Sequence, residues 1–237
     1  MEGFLALGFL IGMSHALEAD HLAAVGTMAT GGSKRHLALR GAVWGLGHTI
    51  TLFAICSAVI VFGVVLTEHL SAALEFGVGV MLVLLGLDVL RRMRRQRVHF
   101  HAHDHGDGKP HFHAHSHAGA ATPHQRDPHR HAHPHGFPLR ALLVGLMHGA
   151  AGSAGLIALT VAATQDPWSA LAYIALFGLG SMAGMATLSA IAAWPLGWAE
   201  RGAKLLYRGL TIGAAALAIV LGLDVMAENA SLAWGLF

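Results

Sequence analysis

The sequence has a single cysteine, Cys56, and it sits inside an apolar run. That rules out a disulfide framework and a thiolate zinc site, and it leaves the redox compartment unread from cysteine usage. Charge is also scarce: 12% of the residues are Asp, Glu, Lys or Arg, against about 25% in an average soluble domain. With 54% hydrophobic residues and a mean hydropathy of +0.56, a water-soluble fold could not cover its apolar surface. Two motifs are missing as well. Without a Gly-rich loop ending in Lys-Ser/Thr, ATP is not the direct drive of this chain, and without His-Glu-x-x-His, zinc-protease chemistry is excluded.

What is present is a series of six apolar stretches, at roughly 3–29, 40–66, 71–90, 139–163, 169–193 and 207–226, each near the about 20 residues needed to cross a bilayer. The expected fold class is all-α: a polytopic membrane protein of six transmembrane helices. The first stretch is read as a retained helix, because it lacks a basic leading segment, runs too long for a secretory signal and carries Glu18 and Asp20 near its far end.

Basic residues are distributed unevenly. All 15 fall on one side of the six-helix arrangement: Lys34, Arg35 and Arg40 between helices 1 and 2, Arg91 through Arg140 between 3 and 4, and Arg201, Lys204 and Arg208 between 5 and 6. The alternate loops, at Thr67–Leu70 and Thr164–Trp168, hold none. The positive-inside rule then puts the chain in the cell membrane with both termini outside and the long central loop in the cytoplasm. Basic character is thereby explained as topology, and nucleic acid is not an expected partner.

The chain repeats itself. Gly12-Met-Ser-His15 returns as Gly145-Leu-Met-His148, Gly45-Leu-Gly47 as Gly178-Leu-Gly180, and Leu85-Gly-Leu-Asp88-Val as Leu221-Gly-Leu-Asp224-Val. Each half has an odd number of helices and the linker is too charged to cross, so the second half must insert with opposite orientation. The expected organisation is a first three-helix repeat over 1–90, a His-rich cytoplasmic loop over 91–138 without fixed structure, and a second three-helix repeat over 139–237. Such 3+3 inverted-topology repeats build secondary transporters with a site near the midplane. Gly12 and Gly145 each precede a matched histidine by three residues, which predicts that His15 and His148 face protein instead of lipid.

The first stretch carries Ser14-His15-Ala-Leu-Glu18-Ala-Asp20-His21. An Asp at a helix centre costs about 2.5–3.5 kcal/mol on insertion scales, so such a cluster is expected to be functional, with a polar knot at the membrane surface as the bland alternative. On a straight helix His15, Glu18 and His21 fall within an arc of about 120°, and Asp20 points away from His15 and Glu18. Either Asp20 orients a histidine from behind, or the helix is interrupted at the motif, as transporter site helices often are. His48, in Gly47-His48-Thr49, would alone be read as a helix-to-helix hydrogen bond; beside helix 1 it becomes a candidate ligand. His148 is the repeat counterpart of His15, with Ser153 in the place of Asp20. Asp88 and Asp224 close helices 3 and 6 and are read as interfacial, and Met13, Met147, Met182 and Met185 as packing. Imidazole and carboxylate donors suit nickel, cobalt, zinc or iron, whereas copper(I) would want sulfur and magnesium or calcium oxygen alone.

Histidine is concentrated between His99 and His135, in runs such as His99-Phe-His101-Ala-His103 and His111-Phe-His113-Ala-His115. Alternating imidazoles offer many weak, interchangeable sites for Ni2+, Co2+ or Zn2+, so this segment is read as a cytoplasmic metal buffer or sensor.

The pattern His15-x-x-x-x-Asp20-His21 resembles the first-helix signature of the nickel/cobalt transporter superfamily, and Gly47-His48-Thr49 its second-helix motif. The stretch His15-Ala-Leu-Glu18-Ala-Asp20-His21-Leu-Ala-Ala-Val, with Gly145-Leu-Met-His148-Gly-Ala-Ala-Gly152-Ser153-Ala, is similar to the short, urease-associated nickel permease (UreH-like) branch. The resemblance covers most of both halves and excludes the loop. It implies that His15, Asp20 and His21 are the main metal ligands, with His48 and His148 assisting and Glu18 beside them. It also implies a divalent transition-metal ion as cargo, the lipid bilayer as surroundings and cytoplasmic metallochaperones or urease accessory proteins as partners. The larger permeases have Asp where Glu18 stands and two more helices, and related exporters share a His-rich loop but carry Gly in place of Asp20.

The expected function is a permease for Ni2+ or Co2+ that needs no resident cofactor and is not an enzyme. An inside-negative potential favours inward movement of a divalent cation by about 4.6 kcal/mol per 100 mV, at about 2.3 per charge, so uptake is favoured over export. The competing readings are a nickel/cobalt exporter, a zinc exporter of the six-helix cation-diffusion type and a membrane-embedded metalloenzyme.

Overall fold

The computed structural model describes residues 2–28, 34–95, 99–103, 111–115, 138–152, 156, 160, 164, 166–202 and 204–234. In chain order its elements are α1 (Glu2–His15), α2 (Ala19–Met28), α3 (Lys34–Phe62), α4 (Glu68–Arg95), β1 (His99–His103), β2 (His111–His115), α5 (Leu139–His148), α6 (Pro167–Gly202) and α7 (Lys204–Ala233). Among the described residues, four segments are long and apolar enough to cross a membrane: Arg35–Phe62, Glu68–Arg94, Pro167–Ala192 and Leu205–Ala233. They correspond to four of the expected spans. Phe62, Val65, Trp168 and Leu205 remain exposed, as side chains turned toward acyl chains would, since lipid removes the penalty that water imposes on them.

The first and fourth expected spans are not continuous helices. The first divides into α1 and α2 at Ala16–Glu18, where bonds shorten to the i−3 pattern: the Leu17 N–H donates to Ser14 O at 2.9 Å and the Glu18 N–H to His15 O at 3.1 Å. The helix restarts with Asp20 in its first turn, where a carboxylate complements the positive end of the helix dipole. The fourth halts at His148: the Ala150 N–H reaches Met147 O at 3.2 Å and the Ala151 N–H reaches His148 O at 3.3 Å. Gly152 then turns at φ +73°, a conformation that L side chains adopt at a cost. Both interruptions follow directly on the matched histidines.

Within the segment expected to lack structure, β1 and β2 pair antiparallel, with histidine set opposite histidine at His99↔His115, His101↔His113 and His103↔His111. Its first residues, to Arg95, complete α4, and Pro138 precedes α5; the remainder lies outside the described residues.

The principal helix contacts join α4 to α7, α3 to α6, α1 to α6 and α3 to α5. Glycine makes the closest of them possible. A Cβ on Gly12 would lie 2.0 Å from the Phe177 carbonyl oxygen, and one on Gly145 2.0 Å from that of Trp44. A Cβ on Gly180 would lie 2.0 Å from Phe9 O and one on Gly47 2.4 Å from Leu142 O. The same sequence interval separates Gly12 from Gly145, Trp44 from Phe177, Phe9 from Leu142 and Gly47 from Gly180. Thus α1 sits on α6 through the same positions by which α5 sits on α3. One core patch, including Ala16, Ala24, Trp44, Leu82, Val144 and Met185, lies among these crossings, and a second, with Leu52, Cys56, Tyr173 and Ile174, lies beside it.

Candidate metal centre

The crossings bring four histidines together at the two helix breaks. His15 ends α1 and His148 ends α5; His21 lies in the first turn of α2; His48 lies midway along α3, between Lys34 and Phe62. His21, His48 and His148 are each 1% exposed, which among polar side chains demands a reason. Ring centroids are 4.5 Å apart for His15 and His21, 5.3 Å for His15 and His48, 5.4 Å for His21 and His48, and 4.3 Å for His21 and His148.

The carboxylates are occupied with these rings. The Asp20 Oδ1 accepts from both the backbone N–H and the Nδ1–H of His21, each at 2.8 Å. Its Oδ2 accepts from the Nε2–H of His148 at 3.0 Å, so one side chain bridges residues that lie far apart in sequence. Glu18 Oε1 accepts from the Nδ1–H of His15 at 2.7 Å. Because carboxylates accept only, these bonds put the proton on those ring nitrogens and leave the other nitrogen of each ring with its lone pair free.

Those opposite nitrogens are the informative ones. His15 Nε2, His21 Nε2, His148 Nδ1 and both nitrogens of His48 are buried and have no hydrogen-bond partner. Buried polar atoms are rarely left unsatisfied, and several in one place point to a missing partner. Among the described residues, two sets have one donor atom per residue within 4.8 Å of one another: His15, His21 and His48, and Asp20, His21 and His148. The first set offers free nitrogens able to take a divalent cation. In the second, the carboxylate holds two imidazoles in orientation, the arrangement that raises the basicity of a metal-bound histidine.

Of the residues singled out in the sequence, His15, Asp20, His21, His48 and His148 thus converge. The Glu18 side chain bonds His15, is 57% exposed, and belongs to neither donor set among the described residues. Both alternatives for Asp20 are realised at once, since the helix is interrupted and the carboxylate also orients histidines. Asp88 lies elsewhere, paired with Arg92 and Arg140. Two residues escaped sequence reasoning. Trp44 is fully buried against the cluster, its ring centroid 5.5 Å from that of His21 and 5.7 Å from that of His148. Phe177 lies 5.2 Å from His15. A signal existed: each aromatic residue directly precedes a copy of the repeated Gly-Leu-Gly.

The profile of the NicO family, described as high-affinity nickel-transport protein, matches residues 2–237. The urease accessory protein UreH of Bacillus sp. (strain TB-90) is 30% identical over 193 residues, which is 81% of this chain and 76% of that protein. No solved structure matches.

Proposed function

Because the chain belongs to the NicO family of high-affinity nickel-transport proteins, and is therefore a multi-pass membrane transporter of a metal ion and not an enzyme, we propose that it carries Ni2+ or Co2+ inward across the cell membrane through the four-histidine cluster. The observation that carries this reading is the set of buried, unpartnered imidazole nitrogens at the two helix breaks. In this reading His15, His21, His48 and His148 hold the ion, Asp20 fixes the rings of His21 and His148, and Glu18 fixes His15 from the exposed side. An all-imidazole seat discriminates against Mg2+ and Ca2+, which want oxygen, and against copper(I), which wants sulfur.

The membrane arrangement proposed is six spans in two oppositely inserted halves. α1 with α2 forms one broken span, and α5 opens the other. Support comes from the matched glycine contacts, from the two breaks at matched histidines and from the position of His48 midway along its helix. Sites near the midplane at broken helices are the usual result of such duplication. The distribution of basic residues supports an orientation with both termini outside and the His-rich loop in the cytoplasm, where it would buffer arriving ions. That the UreH relative is a urease accessory protein favours cytoplasmic urease accessory proteins or metallochaperones as recipients.

The test is Ni2+ flux into proteoliposomes under an imposed potential. Accumulation with an inside-negative field, lost in His21→Ala protein that inserts normally, is the expected result. Accumulation only against an inside-positive field would reverse the direction, and unchanged flux in His21→Ala would remove the site.

A further inference from the structure

Away from the histidine cluster, three helices bring arginine to one end of the molecule. Arg40 lies near the start of α3, Arg92 in the last turn of α4 and Arg140 in the first turn of α5. Arg92 and Arg140 donate to the same oxygen of Asp88, Arg140 at 2.6 Å. Arg40 is half-buried, lies within electrostatic reach of both other guanidiniums and forms no ion pair among the described residues. Arg92 Nε is shielded and has no acceptor. Three guanidiniums therefore share a single carboxylate, and one of their N–H donors is buried without a partner. Topology alone asks only for basic residues in the loops; it does not ask for arginines from three helices to converge. What such a fork of guanidiniums recognises is a multi-oxygen anion, above all a phosphate.

We propose that Arg40, Arg92 and Arg140 form a binding site for the phosphate of an anionic phospholipid headgroup, with Asp88 holding Arg92 and Arg140 in place. The choice of a lipid over a soluble phosphate rests on the membrane orientation given above, which sets this basic end at the cytoplasmic headgroup level. Basic pockets between transmembrane helices on that side take such headgroups. The three arginines come from both sides of the central loop, so a bound headgroup would tie α5, the helix that ends in His148, to α3 and α4.

The experiment is native mass spectrometry of the full-length protein with phosphatidylglycerol, phosphatidylcholine or inorganic phosphate alone. Phosphatidylglycerol should be retained and phosphatidylcholine not, with Arg40→Gln weakening retention about tenfold or more, as expected for the loss of a charge-assisted hydrogen bond to the phosphate. Arg40→Lys should keep most of the binding, and Arg91→Gln, which removes an exposed charge from the same helix end, should leave it within about twofold. Arg140→Gln supplies a second variant should Arg40→Gln fail to fold. Equal loss in Arg91→Gln would overturn the proposal by showing a diffuse basic surface. No preference for the anionic lipid, or its displacement by inorganic phosphate, would overturn it too. Lipid binding is read directly, so protein that retains the lipid but moves no nickel would sink the carrier reading alone.

Discussion

The molecule holds histidine in two very different regions. The central loop carries thirteen of its 19 histidines, of which six lie in a small antiparallel ribbon with histidine opposite histidine. The helix breaks gather four, from four separate helices, three of them almost fully buried. In the loop the imidazoles recur at short, regular intervals, and nothing in the sequence singles one out. At the breaks each ring but that of His48 is held by a carboxylate, and each of the four rings keeps at least one buried nitrogen without a partner. Affinity and selectivity follow from orientation and desolvation fixed in advance, more than from the number of donors.

The comparison breaks most visibly at His21, whose ring belongs to both donor sets. His21→Ala should lower Ni2+ flux by about a hundredfold or more, the upper end of what loss of a metal-site residue costs, measured as initial rates in proteoliposomes. Asp20→Asn keeps every ligand nitrogen but releases His21 and His148 together, and should weaken Ni2+ binding by about 10–100-fold in calorimetric titration. An unchanged affinity would mean that Asp20 orients nothing. Gly145→Ala tests the scaffold of the cluster: the added methyl would meet the Trp44 carbonyl oxygen at 2.0 Å, so α5 must move off α3, at a cost of about 1–3 kcal/mol read as a lower unfolding midpoint. Deleting the loop should sharpen the contrast from the other side. It should reduce the number of ions bound while leaving the flux within about threefold, since imidazole tracts bind weakly and interchangeably; total loss of flux in properly inserted protein would contradict this. Smallest of all is Asp166, at the start of α6, whose carboxylate accepts from the Ser169 N–H at 2.9 Å and from its hydroxyl at 2.6 Å. Those bonds hold its carboxyl below the ordinary value. Its contribution is therefore present at neutral pH and fades as pH falls through that lowered value, so Asp166→Ala should slightly lower the unfolding midpoint at pH 7 and have no effect in strong acid.

Much of the site could be read from residue order alone. His15, Asp20, His21, His48 and His148 were each singled out by an ionisable side chain in an apolar run or by a repeated motif, because burying such groups is costly enough to mark them. Glu18 was read on the same ground, yet it lies on the exposed side of the break, and periodicity could not place it once the helix ceased to be straight. Four long helices were legible from hydropathy. The interruptions at His15 and His148 were not fully legible, since α1 and α5 are as apolar as any continuous span and the break depends on local turn bonds and on Gly152. Trp44 and Phe177 were missed because a large apolar side chain in a membrane helix is ordinarily packing. Only the three-dimensional crossing turns them toward imidazoles.

The claim on which the rest depends is that an ion sits among the buried rings. It can be examined by nickel K-edge X-ray absorption on loop-deleted protein loaded with one equivalent of Ni2+. The account predicts a coordination sphere with the multiple-scattering signature of three or more imidazoles, which His21→Ala should disrupt. A sphere of oxygen donors alone, unaffected by His21→Ala, would contradict it.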